Sequence, residues 1–159
     1  MSPRILLLVV GVVGVIGFVW WSRRPTLPPE KAVAARIQEG LAAAERRDVG
    51  AVMDLISDRF ESKRFDRQQL RSILFLRMQQ GAWSKVLVVS QEVTAQSDTR
   101  VEASLDAVLA RGGNVETIED VVPDAAGAWH FDMTWELEDG DWRIVSADYD
   151  RLRIRDLMP

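Results

Sequence analysis

The sequence of 159 residues contains no cysteine and a single histidine. Without cysteine the chain cannot form a disulfide, a thiolate nucleophile, a zinc ribbon or a lipidated N-terminus. One imidazole does not make a histidine-rich metal site, so we predict no metal ligands and no cofactor. The net charge is −4 and the isoelectric point is near 5.1. The chain therefore lacks the excess of Lys and Arg that neutralises the phosphates of a nucleic acid. We therefore exclude nucleic acid as a partner.

One long apolar run is present. Residues 5–21 are seventeen consecutive Ile, Leu, Val, Gly, Phe and Trp side chains between flanking arginines. About 17–25 apolar residues cross the hydrocarbon core of a bilayer, and Trp20 and Trp21 lie where indole rings favour the interface. Residues 18–22 lack the small side chains of a signal-peptide cleavage site. We predict an uncleaved transmembrane anchor over residues 1–22, followed by a proline-rich linker over residues 23–29.

The orientation of this anchor is weakly encoded, because positive residues on its two flanks nearly cancel. An anchor preceded by only four residues resembles the uncleaved signal sequences that export the domain attached to them. We expect a single-pass protein of a bacterial inner membrane with its folded domain in the periplasm. The opposite orientation stays open.

Residues 30–150 predict one α+β domain, with residues 151–159 as a tail. The first helix carries an apolar stripe at four-residue intervals, the second is capped by Asp48, and the third opens with a capping box of Asp66 and Gln69 and ends at Gly81. The stripe consists of Val33, Ile37, Leu41 and Ala44, and the apolar positions of the third helix are Leu70, Ile73, Leu74 and Met78.

From Trp83 onward the apolar pattern alternates as in strands. We predict strands over residues 86–95, 100–109, 128–137 and 142–149, the last two joined by a type I′ turn at Asp139-Gly140. The expected fold is three helices packed on one face of a curved, mainly antiparallel sheet of four or more strands.

Three segments carry a resemblance to a known family. Residues 44–49, 52–60 and 138–148 resemble the nuclear transport factor 2-like superfamily, which includes ketosteroid isomerase-like domains. The resemblance implies a sheet wrapped around a long helix, with a conical cavity that binds small apolar molecules in some members. It implies no single activity. An N-terminal span before such a domain also resembles, in architecture only, the periplasmic assembly scaffolds of type IV secretion.

Pairing the last two strands about Asp139-Gly140 gives partners whose residue numbers sum to 279, which places Asp148 opposite Phe131 on the inner face. There it is a candidate cavity acid, unless it lies at the open rim and meets solvent or a helix terminus. The predicted lining of the cone is Trp129, Phe131, Met133, Trp135, Trp142 and Ile144. The predicted outer face, for a protein partner or a second copy, carries His130, Asp132, Thr134, Val145 and Tyr149.

These faces support two hypotheses of function. The first is a membrane-anchored, non-catalytic binding or protein-interaction domain, whose ligand is either a small apolar molecule or a protein. The alternative is a cofactor-independent isomerase, dehydratase or hydrolase that uses Asp148 inside the cone. The lone His130 and the lone Tyr149 are both expected to point outward, so no residue is assigned as catalytic. Glu136 and Arg143 are expected to form a cross-strand ion pair. The basic stretch of residues 59–71 is expected to be a solvated, salt-bridged face, with attraction to anionic lipid headgroups as the alternative.

Overall fold

A computed structural model gives the fold of residues 27–111 and 125–153. The anchor predicted over residues 1–22 and most of the linker fall outside these ranges, as does the connection after Arg111. Within the two ranges no helix has the length and apolarity to cross a membrane.

Three helices precede the sheet, and side chains cap the N-termini of the second and third. Helix α1 spans Pro29–Glu45, α2 spans Val49–Asp54 and α3 spans Arg67–Gln79. The Asp48 carboxylate accepts a hydrogen bond from Ala51 N, and Asp66 and Gln69 form the reciprocal capping box. Such caps satisfy backbone N–H groups that the first turn leaves free. The predicted helix starts are confirmed.

Four strands form one antiparallel sheet in the order β1-β2-β3-β4. The strands span Lys85–Ser97 (β1), Arg100–Ala110 (β2), Ala125–Glu138 (β3) and Asp141–Leu152 (β4). Asp139 and Gly140 have φ values of 50° and 87°, and two positive φ angles define the predicted type I′ turn. Strand β4 runs to Leu152, so it enters the segment that the sequence assigned to the tail.

The register between β3 and β4 changes at a bulge. Trp135 pairs with Ile144 as predicted, but Thr134 pairs with Ser146, so Val145 is an extra residue in β4. The segment after α2 holds this bulge in place. Ser57 N donates to Ile144 O (3.0 Å), Ile144 N donates to Leu55 O (2.8 Å) and Glu61 N donates to Val145 O (3.1 Å). A one-residue shift reverses the face of every side chain beyond it.

The core lies between the helices and the concave face of the sheet. Trp135, 1% exposed, is its largest fully buried side chain. Gly40 lets α1 approach the segment after α2, since a Cβ there would lie 2.8 Å from Leu55 Cδ1. The other buried members are Val33, Ile37, Met53, Ile56, Phe60, Val101, Ala103, Leu105, Ala107, Trp142 and Ile144.

Two core assignments from the sequence are wrong. Ala43 is buried in α1, whereas Ala44 is only partly so. Ile73 of α3 is 42% exposed, and Met78 is the one fully buried residue of that helix. Leu70 and Leu74 are partly buried against the core.

Candidate functional site

The open half of the concave face carries a cluster of aromatic rings. We define the aromatic cluster as Phe60, Phe65, Trp129, Phe131 and Tyr149. Tyr149 is central, since its ring centroid lies 5.9 Å from that of Phe65, 5.6 Å from that of Trp129 and 6.4 Å from that of Phe131. Phe60 is buried beneath Phe65, and the other four rings are half-buried. Four half-buried rings thus leave an apolar surface at the open end of the concave face.

Two guanidinium groups border this cluster. Arg64 Cζ lies 5.0 Å from the ring centroid of Tyr149, and Arg151 Cζ lies 5.9 Å from that of Trp129. At such distances a cation is attracted to the negative face of the ring. An open groove beside the cluster is lined by Arg64, Phe65, Asp66, Gln68, Gln69, Ser72 and Ile73. The site therefore combines ring faces with positive charge at its edge.

The predicted cavity lining divides into two parts. Trp135, Trp142 and Ile144 are closed core residues, 1%, 8% and 8% exposed. Trp129, Phe131 and Met133 lie on the same face of the sheet but are half-buried at its open end. The narrow half of the cone is thus filled, and only the wide half offers surface to a ligand.

Asp148 and Tyr149 occupy the faces opposite to those predicted. Because of the extra residue at Val145, Asp148 pairs with Asp132 and Tyr149 pairs with Phe131. Asp148 therefore lies on the outer side of the sheet, where its Oδ2 is 3.3 Å from Lys63 Nζ. Tyr149 becomes a member of the aromatic cluster rather than of the partner face. The cavity acid on which the enzyme hypothesis depended does not face the cone.

The outer face holds the single imidazole, as predicted, between two carboxylates. His130 Nδ1 lies 2.5 Å from Asp106 Oδ1, and His130 Nε2 lies 3.2 Å from Asp132 Oδ1. Strand β2 supplies Asp106 directly opposite His130, and Asp132 follows two positions along β3 on the same face. Both ring nitrogens are thus engaged by acids on an open surface.

Hydrogen bonding with Asp106 is the main reason that the pKa of His130 is raised above its ordinary value. Partial burial opposes this rise, and the negative charge of Asp132 adds to it. An imidazolium clamped in this way binds its proton more tightly than a free side chain, which is the opposite of what a general base near neutral pH needs. The described residues include no group of three or more acidic or imidazole side chains arranged to hold a metal ion.

Most of the expected salt-bridged face is present: the basic side chains at positions 59, 63, 64 and 67 have acidic partners, and Arg71 has none among the described residues. One cross-strand pair differs from the prediction. Arg59 contacts Glu136 (3.0 Å) and Glu138, and Arg100 contacts Glu136 (2.8 Å). Glu136 stands opposite Arg143 as predicted, yet Arg143 lies nearer to Asp141 (3.9 Å). Arg59 and Arg100 form the ion pairs of the Glu136 carboxylate, so the predicted cross-strand ion pair between Glu136 and Arg143 is wrong.

The buried hydroxyl of Ser57 ties the loop after α2 to the β3–β4 hairpin. Its Oγ donates to Glu138 (2.8 Å) and accepts from Arg59 N (3.0 Å). Burial alone would raise the pKa of Glu138, but hydrogen bonds from Ser57 and Arg59 outweigh it and hold the pKa below its usual value.

The sequence did not predict the roles of two residues in these sites, Asp106 and Phe65. Asp106 could be placed only on the polar side of β2, because the long connection to β3 leaves the register of that pair unspecified. Its position between two helices predicts that Phe65 lies in a loop, and no periodicity indicates that its ring packs against Tyr149. The hydrophobic residue before the Asp66 cap was the one available signal, since a residue at that position commonly packs inward.

The fold is shared with several solved structures. An NTF2-like protein of unknown function from Pseudomonas putida superposes with a TM-score of 0.63 at 11% identity, covering 79% of this chain and 87% of that one. A protein of unknown function with a cystatin-like fold from Nostoc punctiforme gives 0.61 at 8% identity, covering 80% and 93%. A proposed scytalone dehydratase from Novosphingobium aromaticivorans gives 0.59 at 11% identity, covering 77% and 83%.

No protein-family model matches the sequence, and no curated protein matches it. At identities of 8–13% these likenesses show the fold and nothing finer. The described domain has the NTF2-like fold, an α+β cone with a four-stranded antiparallel sheet. The resemblance found in the sequence is therefore confirmed at the level of fold.

Proposed function

We propose that this chain is a membrane-tethered, non-catalytic binding domain that takes an apolar ligand with an anionic end on the aromatic cluster. The half-buried ring of Tyr149, flanked by Phe65, Trp129 and Phe131, is the observation that carries the proposal. Ring faces of this kind add about 0.5–1.5 kcal/mol per aromatic contact beyond area burial.

The charge at the edge of the cluster supports an anionic end on the ligand. Arg64 and Arg151 lie over the rings of Tyr149 and Trp129. Arg64 also donates to Tyr149 O (2.9 Å) and Asp150 Oδ1 (3.0 Å), which fixes its guanidinium beside the cluster. Asp150 compensates the charge of Arg64, whereas Arg151 has no ion-pair partner among the described residues. A carboxylate or sulfonate beside Trp129 would therefore meet positive charge.

The tether is the apolar run of residues 5–21, and its proposed setting is a bacterial inner membrane with the domain in the periplasm. The length of the run and its interfacial tryptophans support this part of the proposal. Flotation of the full chain with vesicles after alkaline carbonate extraction tests it. A chain that the extraction releases contradicts the tether.

Ligand binding is tested on the full chain in nanodiscs with 1-anilinonaphthalene-8-sulfonate, an aromatic probe that carries one anionic group. Empty nanodiscs supply the blank. We expect saturable binding that Tyr149→Ala weakens by about tenfold or more, since loss of one buried aromatic contact removes about 1.5–3 kcal/mol.

Tyr149→Phe is the matched control, because it keeps the ring and removes only the hydroxyl; binding should stay within about twofold. Thermal unfolding of each variant shows whether the fold survives. Equal probe affinity in Tyr149→Ala and the wild type, with the fold intact, would refute the aromatic cluster as the binding site.

We also propose the outer sheet face as the surface for a protein partner or a second copy. Ser104, Thr134 and Ser146 are short, half-buried side chains on neighbouring strands of that face. Short side chains leave a flat area into which a partner can pack. Thr134→Arg should abolish crosslinking of the full chain from membranes, whereas Ala35→Arg, on the exposed side of α1, should not. Unchanged crosslinking in Thr134→Arg contradicts this surface.

A further inference from the structure

Helix α3 exposes large apolar side chains that the fold does not use. Phe75 and Leu76 are each 55% exposed, and Ile73 is 42% exposed. These are three of the five large hydrophobic residues exposed in the described chain, and they lie within four consecutive positions. Leaving such surface in water costs about 25 cal/mol per Å². A grouped, exposed apolar surface on one helix is typical of a surface that contacts something else.

The same helix carries only one sign of charge. Residues 67–79 contain Arg67, Arg71 and Arg77 and no acidic residue. Arg67 is paired with Asp58 (3.4 Å), whereas Arg71 and Arg77 have no ion-pair partner among the residues that the structure describes. At 100° per residue, Arg71 and Arg77 lie on opposite borders of the arc that contains the three exposed apolar side chains. We call this arc and its two arginines the α3 face.

We propose that the α3 face lies on the surface of an anionic lipid bilayer, as a second contact beside the N-terminal tether. Apolar side chains bordered by arginines are the pattern by which an amphipathic helix inserts shallowly at the headgroup boundary. Each arginine near an anionic membrane surface adds attraction. The inference rests on the tether of the proposed function, which brings the domain to the bilayer.

Chain geometry keeps the domain near that bilayer. Seven residues, Ser22 to Pro28, separate the apolar run from α1, and a chain of that length spans at most about 25 Å. The start of α1 therefore stays within about 25 Å of the bilayer surface, a distance comparable to the size of the domain itself. Among the surfaces that the domain can turn toward anionic headgroups, the basic, apolar α3 face suits them better than the acid-rich outer sheet.

A second copy of the chain fits the α3 face less well than an anionic bilayer does. In a two-fold symmetric contact the same patch meets itself, so Arg71 and Arg77 of one copy would approach those of the other. Juxtaposed like charges oppose association. Anionic headgroups neutralise both arginines instead.

The absence of cysteine allows a direct test with single nitroxide labels. Leu76→Cys and Thr94→Cys are labelled in the full chain and reconstituted with vesicles of phosphatidylcholine alone or with added phosphatidylserine. Thr94 is exposed on β1 and serves as the control site. Collisions with oxygen, which concentrates in lipid, are compared with collisions with a polar nickel chelate. Flotation of the same samples reports the tether separately.

We expect the label at residue 76 to meet oxygen and avoid nickel in the anionic vesicles only, while the label at residue 94 stays aqueous. Arg71→Gln with Arg77→Gln should reduce the ratio of immersed to aqueous label at residue 76 by about 30-fold, and Arg71→Lys with Arg77→Lys should preserve this ratio.

A chain that floats with both vesicle types while the label at residue 76 remains aqueous overturns the α3 contact and retains the tether. A chain that floats only with anionic vesicles and has the label immersed supports the α3 contact and overturns the tether. Protection of residue 76 from both reagents identifies a protein interface and overturns the α3 contact. Absence of flotation with either composition overturns both.

Discussion

The carboxylates of Asp106 and Asp132, which together we call the clamp, predict that the stability of the chain depends on the protonation of His130. The pKa of His130 is raised in the folded chain by hydrogen bonding with Asp106, and then by the charge of Asp132. Its unfolded value is about 6.5. The stability that the clamp contributes is therefore complete below about pH 6.5 and is lost as the pH rises through the higher folded pKa.

The size of this contribution follows from exposure. A charge-assisted hydrogen bond contributes about 1.5–3 kcal/mol when shielded, and an exposed ion pair contributes about 0–1 kcal/mol. The His130 side chain is 34% exposed, Asp106 25% and Asp132 67%. We therefore expect about 1–2 kcal/mol in total, most of it from Asp106. Asp106→Asn should lose most of this near pH 6 and little near pH 9, whereas Asp132→Asn should lose less than about 1 kcal/mol at either pH.

Because the chain has one histidine, proton NMR of the imidazole reports this pKa without assignment. Urea unfolding of the full chain in micelles, measured across the same pH range, gives the free energy of unfolding. Asp98→Asn, in the exposed turn between β1 and β2, is the control and should change neither quantity. The reasoning is refuted if the folded imidazole titrates at or below about 6.5, or if Asp132→Asn lowers the pKa more than Asp106→Asn.

Substitutions at four further positions test the packing and the turn by denaturant unfolding. Trp135 Nε1 is buried without a hydrogen-bond partner in the described residues, so Trp135→Phe should change stability by less than about 1 kcal/mol, while Trp135→Ala should cost about 3–5 kcal/mol. A large loss in Trp135→Phe contradicts this. Ser57→Ala should cost about 1–3 kcal/mol, because Arg59 N loses its hydrogen-bond acceptor. A loss below about 0.5 kcal/mol argues that the hydrogen bonds of Ser57 do not stabilise the fold. Gly140→Ala, at φ +87°, should cost about 1 kcal/mol, whereas Gly50→Ala inside α2 should stabilise slightly. Equal signs for the two glycines contradict the turn assignment.

The features that sequence predicted correctly depend on neighbouring residues. The Asp48 cap, the Asp66–Gln69 capping box and the Asp139-Gly140 turn each act within about four positions. The alternation of apolar residues in β3 depends equally on local geometry, since successive side chains of a strand point to opposite faces. These signals sufficed to predict three helices, the last hairpin and the inner face of β3.

The features that sequence missed are set by contacts between distant segments. The bulge at Val145 is held by hydrogen bonds from Ser57 and Glu61, more than eighty positions earlier in the chain. No pattern within β4 indicates an extra residue there, so the predicted register failed beyond Trp135 and the faces of Asp148 and Tyr149 were exchanged. The position of Asp106 opposite His130 has the same cause, because no tight turn joins β2 to β3.

Exposure of α3 was missed for a different physical reason. Ile73 falls on the apolar periodicity of the helix, and periodicity predicts burial only when another element covers the whole face. Leu70 and Leu74 pack against the core and Met78 is buried, whereas Ile73 lies outside these contacts.

The extra residue in β4 also decides which side chains line the open end of the cone. In a ladder without the bulge Val145 would pair with Thr134, and every side chain downstream would change sides. Asp148 and Asp150 would then enter the space now occupied by Tyr149, and carboxylates would replace an apolar surface while the strands and helices keep their places. Deleting Val145 itself would leave the present faces unchanged, because Ser146 already pairs with Thr134. The backbone hydrogen bonds that hold the bulge therefore keep these acids outside the apolar site.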